Sequence, residues 1–290
     1  MKRTFTFRLF TGLSLVAFVV GGYLMACSKS GTPAREHTPN IKKSDTAKER
    51  VQGKRIVDKN QIVQSKAAVR YEVLASVPDA GTINGVVKYA GERTDGTVTI
   101  VKDSQVCEHH KTKEIRPEGA ILVQDGNLEN VVVYLSNISR GLKAPATDIT
   151  IDNIECTFVP RVQVGFVGGR VVAKNSDDTL HNTHLFLANP DDTRDLKNMA
   201  LPKAGQTRKF KMKYAGLHDV KCDAHNWMQG WVFSSKHPYI AVSGADGSFK
   251  MENVPAGTWA VKAWHEKFGE KDGEITVTAG GTATLELSYN

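Results

Sequence analysis

From Thr82 to Tyr289 the chain is a succession of short runs: "TINGVVKY", "TVTIV", "NVVVYL", "DITI", "GRVVAKN", "RKFKMKY", "GWVFSS", "TWAVKAW" and "TATLELSY". They are rich in β-branched and aromatic residues and often alternate, which suits a pleated, half-buried surface. Glycine, asparagine and aspartate punctuate them, as in "YAGERTDG", "SGADGS" and "TAGGT". No segment sustains a helical period. Only "NPDDTRDLKNMALP" is expected to hold a helical turn. Many short strands at near-regular spacing must stack as sandwiches or close as barrels. The fold class is therefore expected to be all-β.

The first seventy residues lie outside this pattern. Lys2, Arg3 and Arg8 precede the apolar run "TGLSLVAFVVGGYLM", which stops at "LMACS". This is the layout of a secretory signal. Its end, Leu24, Ala26 and Cys27, resembles a bacterial lipobox. The resemblance implies a signal over residues 1–26, cleavage before Cys27, lipidation of that sulfur and membrane contact through the lipid. An uncleaved anchor is the alternative, but the run is on the short side for a spanning helix. Ser28 follows the cysteine in place of aspartate, which in a Gram-negative lipoprotein implies the outer membrane. The expected location is the cell envelope, on the periplasmic side.

A disordered basic tether is expected over residues 27–78. Residues 28–70 carry 11 basic and 4 acidic side chains and no aromatic residue, so they cannot bury enough apolar surface to fold alone. Residues 71–290 carry 24 basic and 27 acidic side chains. The net charge of +7 thus belongs to the tether and gives no argument for nucleic acid. The tether either lies against an anionic envelope surface or is a solvated linker.

The chain has four cysteines. With Cys27 lipidated, Cys107, Cys156 and Cys222 remain in an oxidising compartment, and an odd thiol must be occupied or reactive. The stretch "KCDAHNWMQGW" places Cys222, His225 and Met228 three residues apart. Thiolate and thioether favour Cu(I), and imidazole serves both copper states. Two histidines, one thiolate and a weak axial methionine make a blue-copper set. The loop therefore asks for one more histidine, and "NSDDTLHNTHLF" offers His181 and His184. A metal on Cys222 would leave Cys107 and Cys156 to pair as a disulfide. The rival pairings, 107–222 and 156–222, would each destroy the metal site.

Residues from about Ile149 to Ser235 resemble a cupredoxin of the amicyanin type. The resemblance rests on "FVPRVQVGFVGGRVVAKNSDDTLHNTHLF" and on "YAGLHDVKCDAHNWMQGWVF", with its short Cys-x-x-His-x-x-Met loop. It implies one type 1 copper held by His181, Cys222 and His225, with Met228 axial. It implies that Asn182 pins the two ligand segments together, its backbone N–H aimed at the Cys222 sulfur, and that His225 lies near the surface as the electron port. His184 and His218 are read as structural, and Trp227 and Trp231 as a hydrophobic cover near the loop. "SQVCEHHKTK" holds His109 and His110 and reads as a disulfide cysteine followed by a polar hairpin tip; a second metal site, or the start of a copper-loading patch, is the alternative.

The C-terminal "SGADGSFKMENVPAGTW" resembles a carboxypeptidase-regulatory-like, or transthyretin-like, sandwich. The opening strands usual in that family are missing there and stand far upstream as "TINGVVKYAGE" and "LENVVVYLSN". The resemblance implies one sandwich split into 79–146 and 237–290, with the cupredoxin, 147–236, inserted near Pro145 and His237. Three modules in series is the alternative. His265 and Glu266, in "AWHEK", are read as an exposed strand end.

No nucleophile-and-base pair or paired carboxylates stand out, so no enzyme is expected. The expectation is an exported, lipid-anchored carrier of single electrons with a redox protein as partner. A copper carrier or envelope scaffold is the alternative.

Overall fold

The structure is a computed structural model that describes residues 70–92, 95–107, 115–188 and 193–290. Among these residues the protein is all-β apart from one helical turn, Ser104–Cys107. Cys27, His109 and His110 lie outside the described residues.

One sandwich is built from residues 149–235. Its four-stranded sheet runs Thr157–Val159, Ile149–Ile154, Arg170–Asn175, Thr207–Lys211. Its five-stranded sheet runs Val162–Phe166, Gln229–Ser235, Gly216–Lys221, His181–Leu187, Arg194–Leu201. Alternation sets the inner faces. In Arg170–Asn175 the buried residues are Val171, Ala173 and Asn175. Ile151, Phe158, Leu185, Leu201, Val220 and Val232 complete the core between the sheets.

A second sandwich joins the two ends of the described chain. Gly81–Tyr89 pairs in parallel with Thr282–Tyr289 and antiparallel with Ser248–Val254. In the facing sheet Val132–Leu135 lies between Ile240–Val242 and Gly257–His265. Gly85 stands directly across from Phe249, and a Cβ there would collide with the Phe249 ring. The glycine in "TINGVVKY" thus makes room for an aromatic side chain that fills the core.

The sandwiches meet through a third apolar cluster of Val132, Val162 and Ile240, with Tyr134, Phe233, Trp231 and Trp264 packed against it. Beside it Arg161 donates from Nε and Nη2 to Glu266 at 2.5 and 2.7 Å, and Trp231 Nε1 reaches the same carboxylate at 3.2 Å. The Glu266 side chain is only 4% exposed.

Four expectations need correction. His265 and Glu266 are not an exposed strand end: His265 is fully buried and Glu266 clamps the other sandwich. Trp231 faces the neighbouring sandwich and not the ligand loop. The stretch expected to hold a helical turn contains the strand Arg194–Leu201, because pairing with His181–Leu187 overrides local preference. The tether ends before residue 78, since Glu72–Leu74 pairs in parallel with Arg140–Leu142 and the Tyr71 hydroxyl donates to the Leu142 carbonyl at 2.7 Å.

Candidate metal centre

His181 opens the strand His181–Leu187, and Cys222 follows the end of Gly216–Lys221, the strand beside it. His225 and Met228 lie on the turn that leads into Gln229–Ser235, and Met228 N donates to the His225 carbonyl at 3.0 Å. Adjacent strand ends therefore bring together residues that lie 41 and 44 positions apart in sequence. His181 and His225 are completely buried, Met228 is 2% exposed and Cys222 3%.

Three ligand atoms converge. His181 Nδ1 and His225 Nδ1 are 3.1 Å apart, and Cys222 Sγ lies 3.9 and 3.7 Å from them. A point equidistant from all three lies about 2.1 Å from each, within the span of about 2.0–2.3 Å typical of zinc–nitrogen and zinc–sulfur bonds. The outer ring nitrogens are committed elsewhere. His181 Nε2 is 2.9 Å from Asp177 Oδ2, and His225 Nε2 is 3.0 Å from Asp103 Oδ2. With each Nε2–H given to a carboxylate, both Nδ1 atoms present lone pairs to one another. Two lone pairs at 3.1 Å repel one another, and a cation between them would relieve that repulsion. Burial pushes the pKa of His181 down, which disfavours a proton in that role. The residues fit a metal that takes two imidazoles and a thiolate.

Asn182 ties the two ligand segments together. Its Oδ1 accepts from the backbone of Asp223 at 2.8 Å and Ala224 at 3.2 Å, and lies 3.4 Å from the Cys222 thiol. Its Nδ2 donates to Asn198 and Asp223. Burial raises the Cys222 pKa, while backbone N–H groups of Asn182, His225 and Ala224 pull it down. These donors would favour the thiolate. His184 points away: its Nδ1 hydrogen-bonds Asp223 at 3.1 Å, and its Nε2 lies 3.1 Å from an Asp195 oxygen without hydrogen-bond geometry. His218 Nδ1 donates to the Gly216 carbonyl. Trp227 packs on the His225 ring at 5.0 Å.

The expected surface port is also corrected. His225 is covered by the segment Ile100–Cys107, which comes from the chain of the second sandwich. Ile100 and Cys107 enter the core of the ligand-bearing sandwich, and a disulfide joins Cys107 to Cys156 with Cα atoms 5.2 Å apart. Asp103 is held over His225 by a bond from Thr179 Oγ1, and its carbonyl accepts from the N–H groups of Val106 and Cys107. On the other side Asp177 accepts from the backbone of Glu155 and Cys156 as well as from His181.

Sequence reasoning missed both carboxylates. Asp177 stands four residues before His181, a spacing that could have suggested it. Asp103 carries no local signal.

No curated protein matches the chain. A domain family described as polysaccharide lyase family 4, domain II, matches residues 212–285, a stretch that crosses from the ligand-bearing sandwich into its neighbour. Among solved structures, the chain is similar to a reduced Cu(I) form of an amicyanin variant, with 27% identity over 30% of this chain and 82% of that one and a TM-score of 0.27. It is similar to an oxidised amicyanin variant with 28% identity, the same coverage and a TM-score of 0.27. A copper-containing nitrite reductase from Thermus scotoductus SA-01 gives 16% identity over 31% of this chain and 23% of that one, also at 0.27. Matches of this extent do not establish a family for the whole chain.

Proposed function

We propose that the protein is a type 1 copper protein of the cupredoxin kind, which carries single electrons in the cell envelope to and from a redox partner protein. The convergence of His181 Nδ1, His225 Nδ1 and Cys222 Sγ, with both outer nitrogens held by carboxylates, carries this reading. Copper would supply a one-electron change between Cu(I) and Cu(II). His181, Cys222 and His225 would hold it, and the thioether of Met228, buried in the same core, would be a fourth, weaker donor. Asp177 and Asp103 would fix the ring orientations, as carboxylates do behind metal-bound histidines. Asn182 would keep the two ligand segments in register. Burial of every ligand would exclude water and limit rearrangement between the two oxidation states. No catalytic role is assigned. The resemblance at Cys27 supports a lipid anchor at the outer membrane.

The test is copper loading of the full chain. Addition of Cu(II) should give an intense blue colour from thiolate-to-copper charge transfer, and Cys222→Ser should abolish it. Blue colour retained in Cys222→Ser overturns the reading. Reversible oxidation and reduction with copper retained separates an electron carrier from a copper carrier, which should surrender Cu(I) readily to an acceptor.

A further inference from the structure

Charge is unevenly spread over the ligand-bearing sandwich. From Lys203 to Tyr214 the run "KAGQTRKFKMKY" holds five basic residues and no acidic one. It stands in a folded part, residues 71–290, where acids outnumber bases by 27 to 24. Its strand, Thr207–Lys211, pairs with Arg170–Asn175 and forms the free edge of the four-stranded sheet. Arg208, Lys209, Lys211 and Lys213 are all exposed.

Register gathers these charges on one face. Lys211 stands across from Arg170, and Lys209 across from Val172. Opposed residues share a face, so Arg170, Lys209 and Lys211 lie on the outside of the sheet, while Val171 and Phe210 turn to the core. Lys213 follows two residues on. Asp148 meets this group, 2.9 Å from Arg170 Nε and 3.7 Å from Lys209 Nζ. Lys211 and Lys213 form no ion pair among the described residues. Lysines on a free edge deter pairing with a second chain. That role alone does not call for an arginine beside them on the next strand.

The group also has a defined place in the molecule. The described chain begins at Arg70, and Glu72–Leu74 pairs with Arg140–Leu142. Leu142 precedes Asp148, the partner of Arg170, by six residues, a reach of at most about 20 Å. The basic tether therefore joins the fold close to the basic face. The candidate ligands lie at the other end of the strands. Met228 directly precedes Gln229–Ser235, whereas bonds from Val167 N to the Ser235 carbonyl and from Gly168 N to the Met212 carbonyl set Arg170 and Lys211 beside the far end of that strand. A strand of that length spans about 20 Å.

We propose that Arg170, Lys209, Lys211 and Lys213 dock on the anionic phospholipid headgroups of the membrane that holds the tether, and so turn the metal-bearing end of the sandwich away from the bilayer. Each basic residue near an anionic bilayer strengthens binding about fivefold. A lipid chain by itself holds a protein only reversibly, and a basic patch supplies the second attachment. The proposal rests on the envelope location in the reading above, and it needs no metal.

The test is lysine footprinting of the full chain on vesicles. The apolar N-terminal run and the basic tether can hold the chain on a vesicle by themselves, so the pattern of shielding is read rather than binding alone. The chain is acylated free, on phosphatidylcholine vesicles, and on vesicles of phosphatidylglycerol and phosphatidylcholine. Labelling of Lys209, Lys211 and Lys213 should fall several-fold on the anionic vesicles only. Lys221, next to Cys222, and Lys250, in the other sandwich, should react as in the free chain. Salt at about 1 M, where the Debye length is about 3 Å, should remove the shielding. Lys211→Gln with Lys213→Gln, two side chains without ion pairs, should lower the preference for anionic over neutral vesicles about 25-fold. Labelling of the three lysines unchanged by anionic vesicles overturns the proposal, as does equal shielding of Lys221 or Lys250. A double variant that self-associates but keeps its vesicle preference assigns the lysines to guarding the edge, and also overturns it. Failure of the chain to turn blue with Cu(II) overturns the copper reading alone, because the footprint is read without copper.

Discussion

Asp103 Oδ2 lies 3.0 Å from Nε2 of His225, 122 residues away in the chain. The carboxylate arrives on the chain of one sandwich and the imidazole on the ligand loop of the other. The outer face of that histidine is therefore closed by a neighbour. A partner protein would have to approach the centre elsewhere.

Asp103→Ala should weaken copper binding about 10- to 100-fold, the usual cost of removing a carboxylate behind a metal-bound histidine. Asp103→Asn keeps a hydrogen-bond acceptor and should restore part of the loss. Competition with a chelator measures the affinity. Unchanged affinity in Asp103→Ala would show that the contact does not orient the ligand.

Met228→Leu removes the thioether at nearly constant volume, a swap cores tolerate. On the electron-carrier reading the variant should stay blue, and its reduction potential should rise, because Cu(II) loses more than Cu(I) when a donor is withdrawn. Voltammetry beside a Cu(I) titration checks it. An unchanged potential with a large loss of Cu(I) affinity favours the copper carrier.

Arg161→Ala leaves the Glu266 carboxylate, 4% exposed, without its bidentate partner. Breaking a buried pair from one side costs about 3–5 kcal/mol. The urea midpoint should fall accordingly, while the copper spectrum stays the same, since Arg161 touches none of the candidate ligands. A midpoint unchanged by the substitution would mean that the apolar cluster alone holds the two sandwiches together.

Burial lowers the pKa of His237 to about 4, and that of His265 likewise. The His237 ring lies 5.7 Å from Tyr71 and 6.0 Å from Tyr239. Between about pH 6.5 and about pH 4 the unfolded chain takes up protons that the folded chain refuses. Stability should therefore be full above about pH 6.5 and fall as pH drops through that window, by about 3 kcal/mol per histidine. His237→Phe should remove its share of the slope in a series of thermal melts. An identical pH profile in that variant would assign the loss to other groups.

Much of this was legible along the chain. Period-two patterning and turn residues determined an all-β protein, because alternation of side chains and the demand for left-handed backbone at turns are local properties. The close spacing of Cys222, His225 and Met228 carried the chemistry of the donor set in one loop. "HNTH" supplied the second imidazole, and Asn182 beside it does bridge to Asp223 and Ala224.

Other features exist only across folded surfaces. The burial of His225, the Asp103 contact and the Arg161–Glu266 clamp each join residues more than a hundred positions apart. A lone aspartate in "VKDSQVC" has no periodicity or spacing to mark it. Its role arises because the chain of one sandwich folds over the ligand loop of the other, and a disulfide holds it there. The strand Arg194–Leu201 shows the same limit on a smaller scale. Its own sequence allowed a helical turn, and pairing with His181–Leu187 made it a strand, because ladder hydrogen bonds and burial outweigh a weak local preference.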